Sequence, residues 1–144
     1  MADNVHIVCP HCNAVNKLTP AKLKKNPKCG SCHQLLFTGK PISLDTSSFE
    51  KHIKKNDIPI LVDFWASWSD ESKMMAPAVA LAATRLEPRL RIAKVNKDTE
   101  PDIAKKYGIL QVPTVVLFRQ GKELNREYGA FDISRILKFI KDNA

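Results

Sequence analysis

Residues 60–77 read Ile60-Leu61-Val62-Asp63-Phe64-Trp65-Ala66-Ser67-Trp68-Ser69-Asp70-Glu71-Ser72-Lys73-Met74-Met75-Ala76-Pro77, and the periodicity of the chain changes in the middle of them. The run Ile60–Trp65, opened by Pro59, is apolar and rich in β-formers, which predicts a strand buried on both faces. From Ser69 to about Leu86 the spacing turns helical, with Met74, Met75, Val79, Leu81, Ala82 and Leu86 as the apolar set. Pro77 falls inside that helix, removes one backbone hydrogen bond and predicts a kink.

The flanks continue the alternation. Upstream, Pro41-Ile42-Ser43-Leu44 is a short strand candidate, and Ser47 with Glu50 three residues on suggests a capping box for a helix carrying Phe49 and Ile53 on one face. Downstream, Leu90–Asn96 reads as a strand, and Pro101–Tyr107 as a short helix stopped by Gly108. Thr114–Phe118 and Lys122–Tyr128 read as a hairpin turned at Gln120-Gly121, and Ile133, Ile136, Leu137 and Ile140 as the stripe of a last helix. Helical crossovers favour parallel pairing and the tight turn forces an antiparallel pair, so a mixed five-stranded sheet with helices on both faces is expected.

The front of the chain is different. Cys9-Pro10-His11-Cys12 and Cys29-Gly30-Ser31-Cys32 are two Cys-x-x-Cys hooks with sixteen residues between them, a spacing that suits a structural zinc site. Each hook aims two thiolates at one ion, and two hooks complete a tetrahedron. Gly30 is expected to help the second hook turn sharply. A segment of this size cannot bury enough apolar surface alone, so one Zn2+ held by Cys9, Cys12, Cys29 and Cys32 would supply much of its folding free energy. The alternatives are four free thiols or two redox pairs. His6, His11 and His33 lie close by but are expected outside the ligand set. The boundary falls near Thr38-Gly39-Lys40-Pro41, giving a knuckle over residues 1–40 and a second domain over 41–144.

Composition narrows the function classes. No apolar run approaches the ~20 residues that span a bilayer, so no membrane association is expected. The start Met1-Ala-Asp-Asn-Val-His has no signal-peptide pattern, which makes the cytoplasm the default compartment. The formal charge of +8 is concentrated at the front, where Lys17, Lys22, Lys24, Lys25, Lys28 and Lys40 face only Asp3. That is either a solvated basic face or a nucleic-acid footprint. The absence of interleaved aromatic residues speaks against the second.

Three groups of residues then carry a resemblance. Val62–Trp68 followed, after four residues, by Lys73–Pro77, the segment Val112-Pro113-Thr114, and Gly129-Ala130 resemble the thioredoxin family over residues 41–144. The knuckle is similar to that of a narrower group within it, the zinc-containing second thioredoxin of bacteria. The resemblance implies protein-disulfide oxidoreductase activity in cell redox homeostasis, disulfide-containing protein or peptide substrates, and a thioredoxin reductase as partner. It implies a cis bond before Pro113 and a substrate groove formed by Trp68, Val112, Pro113, Gly129 and Ala130. It also implies that Asp63, with Lys94 nearby, assists proton transfer at the second redox cysteine; a structural Asp63–Lys94 pair is the plainer expectation.

The departure lies at the centre. Where the family places Cys-Gly-Pro-Cys, this chain has Ser69, Asp70, Glu71 and Ser72. Disulfide exchange depends on thiolates, and a serine hydroxyl neither ionises near neutral pH nor forms a disulfide. The four residues nevertheless make a good helix start, because serine caps free amides and acids complement the positive end of the helix dipole. The chain is therefore expected to be redox-inactive at this site, as a disabled reductase or as a peptide-binding scaffold. Ser69 as a hydrolytic nucleophile is disfavoured, since no histidine lies near it in sequence.

Overall fold

The computed structural model describes residues 3–144. The knuckle opens with an antiparallel hairpin, β1 (Val5–Val8) and β2 (Val15–Leu18), and continues into a single helical turn, α1 (Pro20–Leu23), capped by the Thr19 hydroxyl. Neither the hairpin nor α1 is marked by a long apolar period, and the sequence reading did not anticipate them.

The remaining elements are β3 (Ile42–Ser43), α2 (Phe49–Lys55), β4 (Ile60–Trp65), α3 (Asp70–Leu86), β5 (Arg91–Asn96), α4 (Pro101–Lys106), β6 (Thr114–Arg119), β7 (Lys122–Tyr128) and α5 (Ile133–Asn143). The sheet has the order β3-β5-β4-β6-β7. β5 is parallel to both β3 and β4, whereas β4–β6 and β6–β7 are antiparallel. The expected mixed five-stranded sheet is thus observed, with the rise and fall of periodicity along the sequence marking its elements.

Strand alternation divides the core. Ile60, Val62 and Phe64 of β4 join Phe49, Ile53, Val95, Val116 and Phe118 on one face, where Phe49, Phe64, Tyr107 and Phe118 pack ring against ring. Leu61 joins Met75 and Val79 of α3 and Ile136 and Phe139 of α5 on the other. Asp63 has the parity of Leu61, which places its carboxylate on the α3 side of the sheet.

The start of α2 differs from the expectation. Ser47 donates to Asp45, and the reciprocal box joins Asp45 and Ser48: the Asp45 carboxylate accepts from the Ser48 N–H at 2.9 Å, and the Ser48 hydroxyl accepts from the Asp45 N–H at 3.2 Å. Glu50 turns away to α4, where it meets Lys106 at 2.6 Å and the Tyr107 hydroxyl at 2.7 Å. A cation and a phenol across the fold outcompete the backbone amide that a capping box offers.

The front segment is seated on α2 and the loop after it by polar contacts. Asn56 accepts from the Val8 N–H at 2.8 Å, His52 Nε2 meets Asn13 at 2.9 Å, and Asp57 accepts from the His6 N–H at 2.7 Å. Ile58 completes the small apolar cluster of Ile7, Cys9, Cys29 and Leu36. At the centre of the seam lies Arg91, whose side chain and that of Glu87 are only 1% and 2% exposed and paired at 2.9 Å. The same guanidinium donates to the Val8 carbonyl at 3.4 Å and stacks 4.4 Å from the Phe37 ring, while Glu87 accepts from the Gly39 N–H.

Candidate functional site

The two hooks are near copies of each other. In the first, the Cys9 N–H donates to Ala14, the Asn13 N–H donates to Cys9, and the His11 N–H donates to the Cys9 sulfur at 3.3 Å. In the second, Cys29, His33 and Ser31 repeat those bonds, with the Ser31 N–H again 3.3 Å from the Cys29 sulfur. The left-handed residue that closes each turn is Asn13 (φ 64°) or His33 (φ 65°). Gly30 is not that residue, contrary to the expectation; its N–H donates to Asn16 at 2.8 Å instead. The tight step comes four residues after the leading cysteine, where asparagine and histidine tolerate positive φ better than most side chains.

The four sulfurs lie within 4.8 Å of one another, with Cys9–Cys32 and Cys12–Cys29 both at 3.6 Å. A tetrahedron with zinc–sulfur bonds of about 2.3 Å has edges of about 3.8 Å, close to the two 3.6 Å separations, so the cluster has the size that one zinc ion requires. Burial pushes the Cys9 thiol up to about 12, whereas backbone and Asn16 donors hold Cys29 near 6. Placing negative charge on all four sulfurs needs a cation between them, and this donor set suits zinc. His6 pairs with Asp57, His11 meets the Leu35 carbonyl and His33 is exposed, so the histidines stay outside the sulfur cluster.

The second site forms where β4 hands over to α3. Ser69 is the N-cap of α3, and its hydroxyl accepts from the Ser72 N–H at 3.1 Å. Both serines are buried, and the Ser72 hydroxyl has no hydrogen-bond partner among the described residues. Trp68 stands out at 66% exposure, its indole N–H donating to Asp98 at 2.8 Å. The Val112–Pro113 bond is cis, and the Pro113 carbonyl accepts from the Gly129 N–H at 3.0 Å.

A cleft of about 480 Å³ runs between Trp68, Ser69, Asp70 and Glu71 on one side and Leu110, Gln111, Val112 and Tyr128 on the other. Of the groove residues expected from sequence, Trp68 and Val112 line it. Pro113 is buried, and Gly129 and Ala130 lie outside the cleft wall. Leu110, Gln111 and Tyr128 were missed. Their signal was proximity: two directly precede the Val112-Pro113 step and one precedes Gly129.

Asp63 is 1% exposed, and neither carboxylate oxygen has a hydrogen-bond partner among the described residues. Lys94 is its neighbour in the β4–β5 register, yet the alternative of a structural Asp63–Lys94 pair is not formed; the ammonium sits 4.9 Å above the Trp65 ring instead. Burial raises the Asp63 carboxyl to about 7, with the Lys94 charge acting in the opposite sense. A carboxyl held partly protonated at neutral pH has less need of a cation in contact, and the indole face gives Lys94 an alternative.

Comparison with known proteins matches both parts of the chain. A family model described as Thioredoxin covers residues 40–142, and one described as Thioredoxin 2, N-terminal, a zinc ribbon, covers residues 8–34. Thioredoxin C-3 of Corynebacterium nephridii is 37% identical over 124 residues, spanning 86% of this chain and 85% of its own length. The thioredoxin of Rickettsia bellii is 36% identical over 96 residues, 67% of this chain and 91% of its own. Thioredoxin 1 of a Nostoc species is 38% identical over 84 residues, 58% of this chain and 78% of its own.

Proposed function

The chain belongs to the thioredoxin family, with a zinc ribbon in front, and from that premise we propose that it keeps the family's peptide-binding face while lacking its dithiol chemistry. Thioredoxins are disulfide oxidoreductases that act on disulfide-containing proteins and are served by reductase partners. Here the observation that carries the reading is Ser69 and Ser72 at the head of α3, with Ser69 engaged as a cap. A thiol there ionises at about 8.5 or lower, whereas a hydroxyl does not ionise in the same range. No mixed disulfide forms at either position, and no electrons pass.

What supports retained binding is the cleft itself. Trp68 and Leu110 expose apolar surface beside it, and the Val112 N–H and C=O make no hydrogen bond with another described residue. An extended peptide would pair with that free backbone and lay alternate side chains against the indole. On this reading residues 1–40 form the zinc-bound knuckle, residues 41–144 form the binding domain, and Asp63 and Lys94 are inherited positions without a thiol to serve. Among the described residues no helix is long and apolar enough to cross a membrane, and a cytoplasmic location is part of the proposal. The knuckle lysines are read as a solvated face rather than a nucleic-acid contact.

The test is insulin reduction with thioredoxin reductase and NADPH. The chain as it stands is expected to give no rate above the uncatalysed one, and the Ser69→Cys/Ser72→Cys variant to gain activity. Failure of a folded double variant, or activity of the unaltered chain, overturns the reading.

A further inference from the structure

We propose that the cleft beside Trp68 selects cationic peptides, with Asp70 and Glu71 reading a lysine or arginine of the bound strand. The inference rests on the reading that this cleft still binds peptides, and adds which peptides it takes.

Its walls combine Trp68, Leu110, Val112 and Tyr128 with polar groups, and the charged residues that line it are both acids. Asp70 and Glu71 are exposed in the first turn of α3. The chain carries 23 lysines and arginines against 15 acids, so cations are in excess. The ion pairs among the described residues nevertheless go to Glu50, Asp57, Glu87, Glu123 and Glu127, and none reaches Asp70 or Glu71. Lys73 follows on the same helix without pairing to either, and Lys97 donates to the Leu110 carbonyl. Asp98 adds a third negative charge where it holds the Trp68 indole.

The α3 dipole explains why acids are tolerated at this helix start, but it leaves their carboxylates facing the solvent of the cleft. The net charge of +8 repels a cationic peptide at long range. At physiological ionic strength, however, charges more than about 8 Å away are largely screened, so the residues lining the cleft decide affinity. A strand paired to Val112 presents side chains to opposite sides in turn. The set that turns toward the head of α3 meets Trp68, Asp70 and Glu71 together. The partner is therefore an extended segment that carries lysine or arginine on that face.

The experiment uses the full zinc-bound chain and three fluorescein-labelled nonapeptides that alternate valine with lysine, serine or glutamate, followed by fluorescence anisotropy. The lysine peptide should bind about tenfold tighter than the serine peptide, the sum of two exposed ion pairs, and the glutamate peptide weakest. Asp70→Asn/Glu71→Gln should erase the difference without lowering the thermal midpoint by more than a few degrees, while Trp68→Ala should weaken all three. Equal binding of the three peptides, with loss in Trp68→Ala, overturns the charge selection and leaves the binding face standing. No binding of any peptide overturns both.

Discussion

The Ser69 hydroxyl accepts the backbone N–H of Ser72 at 3.1 Å, so the two positions that would exchange electrons in a thioredoxin are joined here by a helix cap. The same residues supply a good N-terminus for α3, so the fold keeps its shape at the point where the proposed loss of dithiol chemistry lies.

The two serines should therefore respond differently to truncation. Ser69→Ala loses the cap and should cost about 1 kcal/mol. Ser72→Ala removes a buried hydroxyl that has no partner and should be neutral or stabilising by up to about 1 kcal/mol. Urea denaturation of the two variants measures both; equal losses would contradict the assignment of the cap.

Asp63 should be a liability above neutral pH. Burial pushes its carboxyl up to about 7 from the ordinary 3.8 of an unfolded chain, so the native state holds the extra proton between those values. Stability from this group is complete below about pH 4 and is lost as pH rises through 7. Asp63→Asn should raise stability by about 1–3 kcal/mol at pH 8 and have little effect at pH 4. His52, held near 4 by burial and by the charges of Arg91 and Lys51, has the opposite pH dependence, which cancels when the variant is compared with the parent at each pH.

Breaking the buried ion pair at the seam should be severe. Glu87→Ala leaves the Arg91 charge uncompensated and should cost about 3–5 kcal/mol. Adding Arg91→Met should recover part of that loss, although the Val8 carbonyl and the Phe37 ring lose their partner. A double variant worse than the single one, in thermal or urea unfolding, would argue against the pair as the source of the effect.

Metal removal should act locally. Stripping the zinc should expose the amides of Cys9, Asn13, Cys29 and His33 to hydrogen exchange, because their bonds exist only in the closed hooks. Amides of β4, β5 and β6 should remain protected, since the sheet has its own two apolar cores.

Much of this was legible in the chain because apolar periodicity is a local signal. Ile60–Trp65 and the helical set from Met74 to Leu86 each declare their element without reference to anything distant. The cysteine hooks are equally local, and their spacing alone points to the sulfur cluster. What escaped depends on partners far away in sequence. Arg91 reads as the polar start of a strand, yet it is buried against Val8, Phe37 and Glu87. Glu50 fits a capping pattern until α4 brings Lys106 and Tyr107 within reach. Lys94 faces Asp63 in register but finds the Trp65 ring, and the cleft wall at Leu110 and Tyr128 is assembled only when the sheet closes.

Intact-mass measurement of the zinc-bound chain across a graded series of reduced and oxidised glutathione tests the redox-silent assignment most directly. A constant mass, with one zinc and four cysteines committed to it, is the expected result. Loss of two hydrogens, or a glutathione adduct, on protein that still holds its metal would contradict it.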